Sequence, residues 1–195
     1  ACTVTGGAVS IVEKGPLVGR VRVVRRLGPS AVTSTYELRA GSRQLDVHLD
    51  IDWHHDEHLL SMAFPLDVRA DTAACDVQFG VTHCPTHPSS PWDASKFEVC
   101  AHRYVSVAEP SFGVAVLNNG RYGHAVFDRA IRVSLARAAK YPDPDADHGR
   151  HEVRLAVRPH DGDLGDVRAA AELFNRPLRT IGGSGQDRES SPIVE

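Results

Sequence analysis

The nine residues Leu45-Asp46-Val47-His48-Leu49-Asp50-Ile51-Asp52-Trp53 alternate without a break. Leu, Val, Leu, Ile and Trp fall on one face, and Asp, His, Asp and Asp on the other. Only an extended backbone, with its period of two, sorts side chains this way. The stretch must be a strand with one face on a core and the other in water, as in an antiparallel sheet.

The rest of the chain follows suit. Residues 21–26 and 32–38 are β-branched and near-alternating, and Gly28-Pro29-Ser30 between them is a turn. Strands are also expected over 59–64, 75–80, 97–107, 113–117, 125–127, 131–135 and 151–158. Short strands without helices between them indicate a sandwich or barrel rather than βαβ units. One helix is expected, over 163–175, capped by Asp163 or Gly165. Val167, Ala170, Ala171 and Phe174 recur there at helical spacing, and Pro177 lies just beyond. Residues 82–94 and 141–149 read as long loops. The fold class expected is mostly β, an antiparallel sandwich with a short helix near the C-terminus.

Bulk properties narrow the function. At 195 residues the chain can bury a sizeable core, and its 24% charged content is ordinary. A net charge of −3 gives no reason to expect nucleic acid or an anionic membrane as partner. No apolar run approaches the roughly 20 residues of a membrane helix, and no signal peptide is read at the start. Residues 1–181 are expected to form one β-sandwich domain. Residues 182–191 read as a flexible linker, and 192–195 as the opening of a further strand, so the chain is expected to be cut at both ends. Cys2, Cys75, Cys84 and Cys100 show no CxxC pair and read as reduced, buried thiols of a cytoplasmic protein.

Two clusters suggest metal chemistry on composition. In "DWHHDEHLL", His54, Asp56 and His58 offer ligands, with the two His four apart. The helical zinc pattern needs Glu directly after the first His, and His55 stands there. The cluster follows one strand and precedes another, so a charged hairpin turn is expected. In "THCPTHPSSPWD", His83, Cys84 and His87 are three candidate ligands, while Trp92 in a Pro-rich loop could stack on a sugar ring. Asp93, Glu98 and Glu109 are available as carboxylates. No serine lies in G-x-S-x-G, and the acidic stretch 141–152 lacks calcium-loop spacing, so it reads as a solvated loop. The turn Asn118-Asn119-Gly120-Arg121-Tyr122-Gly123 combines residues that tolerate positive φ with an arginine and a tyrosine that no tight turn needs.

Several blocks in one order carry a resemblance: "LDIDWHHDEHLLSMAFPLDV", "VTHCPTHPSSPWDASKFEVCAHRYVSVAE", "FGVAVLNNGRYGHAV", the run from Val133 through Val153, and "AAELFNRPL". Together they resemble the C-terminal β region of glycoside hydrolase family 38 α-mannosidases of the cytosolic and bacterial kind, over residues 15–181. The resemblance implies a β-supersandwich similar to galactose mutarotase. It implies a parent enzyme that hydrolyses α-mannosides with retention. There, zinc or a similar divalent metal and an aspartate nucleophile belong to an N-terminal barrel, followed by a helical domain, neither found here. It also implies that Asn118, Asn119, Arg121, Tyr122 and Gly123 match a turn that faces the barrel and approaches the sugar. Asn119 departs from the family's usual Asp, and Arg121 from its Lys. Metal ligation is not carried onto His54, Asp56 and His58, and the chain alone is expected to be non-catalytic.

Two other classes compete. A carbohydrate-binding module would use Trp53, Trp92, Tyr104 and Tyr122 as stacking platforms. A mutarotase-like enzyme would pair His102 or His87 with Glu98. Glu98, His102 and Arg103 alternate and are expected to share one polar face. A chain without its partner domains should expose an apolar patch, at which a homo-oligomer could form.

Overall fold

A computed structural model describes residues 4, 6–127 and 129–179. The expected linker at 182–191, the final segment 192–195 and Cys2 lie outside the described residues.

The chain begins with an antiparallel meander, β1 (Ala8–Lys14), β2 (Val18–Leu27), β3 (Ser30–Arg39) and β4 (Leu45–Trp53). It continues through β5 (Leu60–Pro65), β6 (Thr72–Val77), β7 (Gly80–Pro85), a single helical turn α1 (Pro91–Ala94) and β8 (Val99–Cys100). Then come β9 (Tyr104–Glu109), β10 (Phe112–Asn118), β11 (Gly123–Phe127), β12 (Ala130–Ala136), β13 (Gly149–His160) and α2 (Leu164–Asn175). Among the described residues they form two antiparallel sheets. The nine-stranded sheet runs β1-β2-β3-β4-β13-β10-β9-β6-β7 and the four-stranded one β5-β12-β11-β8.

The sheets face each other across the core that the β4 alternation predicts. Val47, Leu49, Ile51 and Trp53 point inward with Val153 and Leu155 of β13, against Phe64, Ile131, Val133 and Leu135 of the smaller sheet. Each such side chain, fully buried, contributes about 1.5–3 kcal/mol of transfer free energy. The outer face of the large sheet divides in two. Over β9, β10 and the second half of β13, Val167, Ala171 and Phe174 of α2 pack on Tyr104, Ala115, Leu117 and Ala156. The Asp163 carboxylate accepts from Gly165 N at 2.9 Å, so Asp163 is the cap. Arg158 clasps Asp166 with two bonds, at 3.0 and 2.6 Å. Among the described residues no helix covers the outer face over β2, β3, β4 and the first half of β13.

Several expectations are corrected. β1 is not among the predicted strands: it is an edge strand exposed along nearly all its length, so no burial pattern marks it. The second part of β7 and the whole of α1 fall within the expected 82–94 loop, and the strand expected over 75–80 ends at Val77, with Gly80 already in β7. The strand expected over 97–107 is two strands in different sheets, because residues 101–103 cross from β8 to β9. Residues 54–59 are not a hairpin turn, since β4 and β5 belong to opposite sheets and do not pair. Among the described cysteines only Cys75 is a buried thiol; Cys84 is half-buried and Cys100 exposed. Burial, and then the neighbouring Cys84, push the Cys75 thiol up from its ordinary value.

Candidate functional site

Residues 118–123 also carry the chain from one sheet to the other, from β10 to β11. The crossing is organised by Asn118, which is fully buried. Its Oδ1 accepts from the backbone N–H of Gly120 at 3.0 Å and of Arg121 at 2.9 Å, closing the turn around a side chain. Gly120 sits at φ +105°, a conformation open to glycine alone. The other face of the Asn118 amide meets the fully buried ring of His124, Nδ2 to Nε2 at 3.4 Å. His124 Nδ1 lies 3.1 Å from the Tyr122 carbonyl, which can only accept, so the proton sits on Nδ1 and Nε2 is the acceptor for Asn118. Burial holds the His124 ring below its ordinary value.

Three more bonds fix the turn from outside. Asn175, the last residue of α2, donates from Nδ2 to the Asn118 carbonyl at 3.1 Å. Asn119 Oδ1 accepts from Arg154 N of β13 at 2.8 Å. Ala101 N donates to the Tyr122 carbonyl at 3.0 Å. Next to it, Arg103 donates from Nε and Nη2 to the buried carboxylate of Asp76, both at 2.8 Å, and from Nη1 to Glu172 of α2 at 2.7 Å. Asn118 and Asn119 are thus spent on holding the turn. Arg121 and Tyr122 are presented by it: Tyr122 is 53% exposed, and its ring centroid lies 5.0 Å from that of His102.

The turn shares its end of the sandwich with two other loops. Asp147 is held below the usual carboxylate range, chiefly by the backbone N–H of Arg137 and then that of Ala138, with Arg121 contributing. Asp56 bonds Lys140 Nζ at 2.7 Å and His148 Nε2 at 2.9 Å, tying the 54–58 turn to the loop before β13. The three residues of the His-rich motif do not converge. His54 pairs with Asp52 at 2.9 Å, Asp56 with Lys140 and His148, and His58 Nδ1 with the Asp56 carbonyl at 2.5 Å. Among the described residues no group of three or more His, Cys, Asp or Glu is placed to hold a metal ion.

The remaining candidates scatter. His83 and Cys84 are neighbours on β7 and so face opposite sides of it. His87, Asp93, Lys96, Phe97, Glu98 and Phe127 line a cleft of about 250 Å³ between the 85–98 segment and β11. Trp92, 71% exposed with Lys96 Nζ 5.3 Å from its ring, stands on α1 beside that cleft. Trp53 and Tyr104 are buried and cannot be platforms. Glu98, His102 and Arg103 share no polar face: Glu98 accepts from Ser134, His102 lies against Tyr122 and Arg103 against Asp76. Glu109 accepts from Arg69 N. The sequence reading passed over His124 and Asn175. A histidine between Gly123 and Ala125 in an otherwise apolar strand is the one local signal that His124 is a buried, partnered ring.

Comparison with known proteins places this architecture. Residues 2–145 match the family described as glycosyl hydrolases family 38 C-terminal domain. Alpha-mannosidase 2C1 of Mus musculus is 35% identical over 183 residues, which is 92% of this chain and 18% of that protein. Alpha-mannosidase of Saccharomyces cerevisiae is 37% identical over 158 residues, 80% of this chain and 14% of that protein. The chain thus spans under a fifth of the length of these relatives. The crystal structure of an alpha-mannosidase from Enterococcus faecalis V583 shares the fold at a TM-score of 0.77 and 16% identity, covering 88% of this chain and 24% of that one. The chain belongs to glycosyl hydrolases family 38, as a C-terminal domain of that family.

Proposed function

We propose that this chain is the non-catalytic β-sandwich domain of an α-mannosidase, and that its 118–123 turn completes the substrate cleft of the parent enzyme. The observation that carries the second half is the division of labour in the turn. Four buried or backbone-directed groups, Asn118, Asn119, His124 and Asn175, hold a loop that leaves Arg121 half-buried and Tyr122 exposed, with no backbone of the turn to hold. So much fixed scaffold under two presented side chains suits a positioning role. Arg121 supplies a planar donor fork to sugar oxygens, and Tyr122 an amphipathic ring. Trp92 on α1 is a further wall against which a sugar could stack. In this reading residues 1–181 are the domain and 182–191 its linker. The divalent metal and the chemistry reside in the rest of the parent. Val9 and Ile11, 68% and 70% exposed on edge strand β1, suit burial against those domains or a second copy. A cytoplasmic setting agrees with the free Cys75, Cys84 and Cys100 and with the absence, among the described residues, of a helix able to cross a membrane.

Hydrolysis of a chromogenic α-mannoside tests both halves, using this chain and its full-length parent with and without added zinc or cobalt. The parent should be active and the chain silent; activity in the chain alone would sink the non-catalytic assignment. In the parent, Arg121→Ala and Tyr122→Ala should each lower kcat/KM by about tenfold, the loss of one charged or well-placed hydrogen bond. Unchanged kinetics in both variants would remove the turn from the cleft.

A further inference from the structure

The uncovered half of the outer sheet face breaks a local rule of sheet stability. Across β4 and β13, His48 stands directly opposite Arg154, and Asp50 directly opposite Glu152. The Asp50–Glu152 pair sets like charges directly opposite each other, which destabilises a sheet. Two residues of strand rise, about 7 Å, separate the rows. The basic row continues through Thr35 of β3 to Arg22 of β2, and the acidic row through Thr33 to Val24. Interleaving would have matched acid with base across each pair at no cost. At these two pairs the residues are sorted into rows, whereas the next pair, Asp52 opposite Arg150, sets acid against base; none of Arg22, His48, Asp50, Glu152 or Arg154 makes an ion pair with another described residue. Arg154 lies with its guanidinium 4.7 Å from the Phe174 ring, and its Nε is buried without a partner. These residues line a groove of about 530 Å³.

We infer that this groove is a glycan-binding site, in which the Asp50–Glu152 row accepts hydroxyl protons and the Arg22–His48–Arg154 row donates to hydroxyl oxygens. Unpaired charges in sorted rows mark a surface selected for something other than stability. Carboxylates only accept and guanidinium groups only donate, whereas every sugar hydroxyl does both. A pyranose laid across the strands can therefore satisfy both rows at once. A polyanion would be repelled by Asp50 and Glu152, and a cation by Arg22 and Arg154. At one end of the basic row, the backbone N–H of Arg154 donates to Asn119 of the 118–123 turn. The choice of a mannose-containing ligand rests on the proposed function; the presence of a site does not.

Calorimetric titration of this chain with an α-linked mannotriose and, separately, a cello-oligosaccharide tests the inference. Saturable binding of mannotriose is expected, weakened about tenfold or more by Glu152→Gln, as for a lost charged hydrogen bond. The same variant should raise the Tm by about 1–2 °C, because it relieves the repulsion with Asp50. A merely structural carboxylate would lower both. Asp50→Asn repeats the test should Glu152→Gln fail to fold, and Phe97→Ala in the other cleft should leave affinity unchanged. The inference is overturned if neither oligosaccharide binds, if Glu152→Gln and Asp50→Asn bind as wild type, or if Phe97→Ala abolishes binding. Binding of the cello-oligosaccharide alone would keep the groove and count against the mannoside reading. Hydrolysis by the parent beside a groove that binds nothing would do the reverse.

Discussion

Two turns carry the chain between the same two sheets, and they differ in where their polar side chains go. The 118–123 turn closes around one buried amide, and its hydrogen bonds reach the 101–103 segment, β13 and α2. The 54–58 turn is tied at its backbone too, His54 N donating to the buried Ser30 Oγ and Glu57 N to the Ala138 carbonyl, both at 2.8 Å, but its charges lie in water: Asp56, Lys140 and His54 pair at the surface with side chains 46–49% exposed. Exposed pairs of this kind contribute little, because water screens them. The difference teaches where precision is placed. A dense cluster of metal-type residues need not be a site, and a sparse turn of Asn and Gly can be the more exactingly held.

The sharpest way to break that contrast is Asn118→Ala. It leaves the N–H groups of Gly120 and Arg121 without their acceptor and removes the partner of the His124 ring. Gly120 is exposed and Arg121 half-buried, so water can take over their N–H groups; the buried His124 ring is the group left orphaned, at about 1–3 kcal/mol, and the variant should lose about that much in urea unfolding with an unchanged m-value. A loss as small as an ordinary surface substitution would mean that water replaces Asn118 and that the turn is not buried in solution.

A smaller effect comes from pH. Burial lowers the folded pKa of His124 below its ordinary 6.5, so the unfolded chain binds a proton that the folded chain refuses. The stability from the neutral ring is complete above 6.5 and is lost as pH falls below it. His160, also held down by burial, acts in the same direction. Tm should therefore fall between about pH 7.5 and about 5.5, and His124→Gln should flatten part of that slope. An equal slope in the variant would show that the ring titrates freely, contrary to its place beneath the turn.

How much of this was legible follows from what each signal encodes. The alternation of residues 45–53 reports burial on one face, and it placed Val47, Leu49, Ile51 and Trp53 in the core and Asp50 outside. Helical spacing likewise found α2 and its Val167, Ala171 and Phe174. Periodicity carries no information about which sheet a strand joins, so residues 54–59 read as a hairpin and 97–107 as one strand. Turn chemistry identified Asn118 and Gly120. The partners Asn175, 57 residues away, and Arg154, 35 residues from Asn119, are tertiary facts with no local trace. Composition misled at His54, Asp56 and His58, because ligand counts ignore where side chains point.

The smallest expected effect tests the turns at their backbones. Glu57 occupies the left-handed region at φ +53°, where an L side chain costs about 1–2 kcal/mol. Replacing it by glycine removes that strain, but the unfolded chain gains freedom worth about 0.5–1 kcal/mol. The two terms nearly cancel, so Glu57→Gly should leave the Tm almost unchanged, with any shift upward. Gly120 is the counterexample: at φ +105° it lies outside the left-handed well that Glu57 uses, and no atom within 4 Å would obstruct a Cβ. Its requirement is therefore one of backbone conformation alone. A marked loss in Glu57→Gly would mean that the glutamate makes a contact worth more than its strain, and the 54–58 turn would then be as deliberately held as its counterpart.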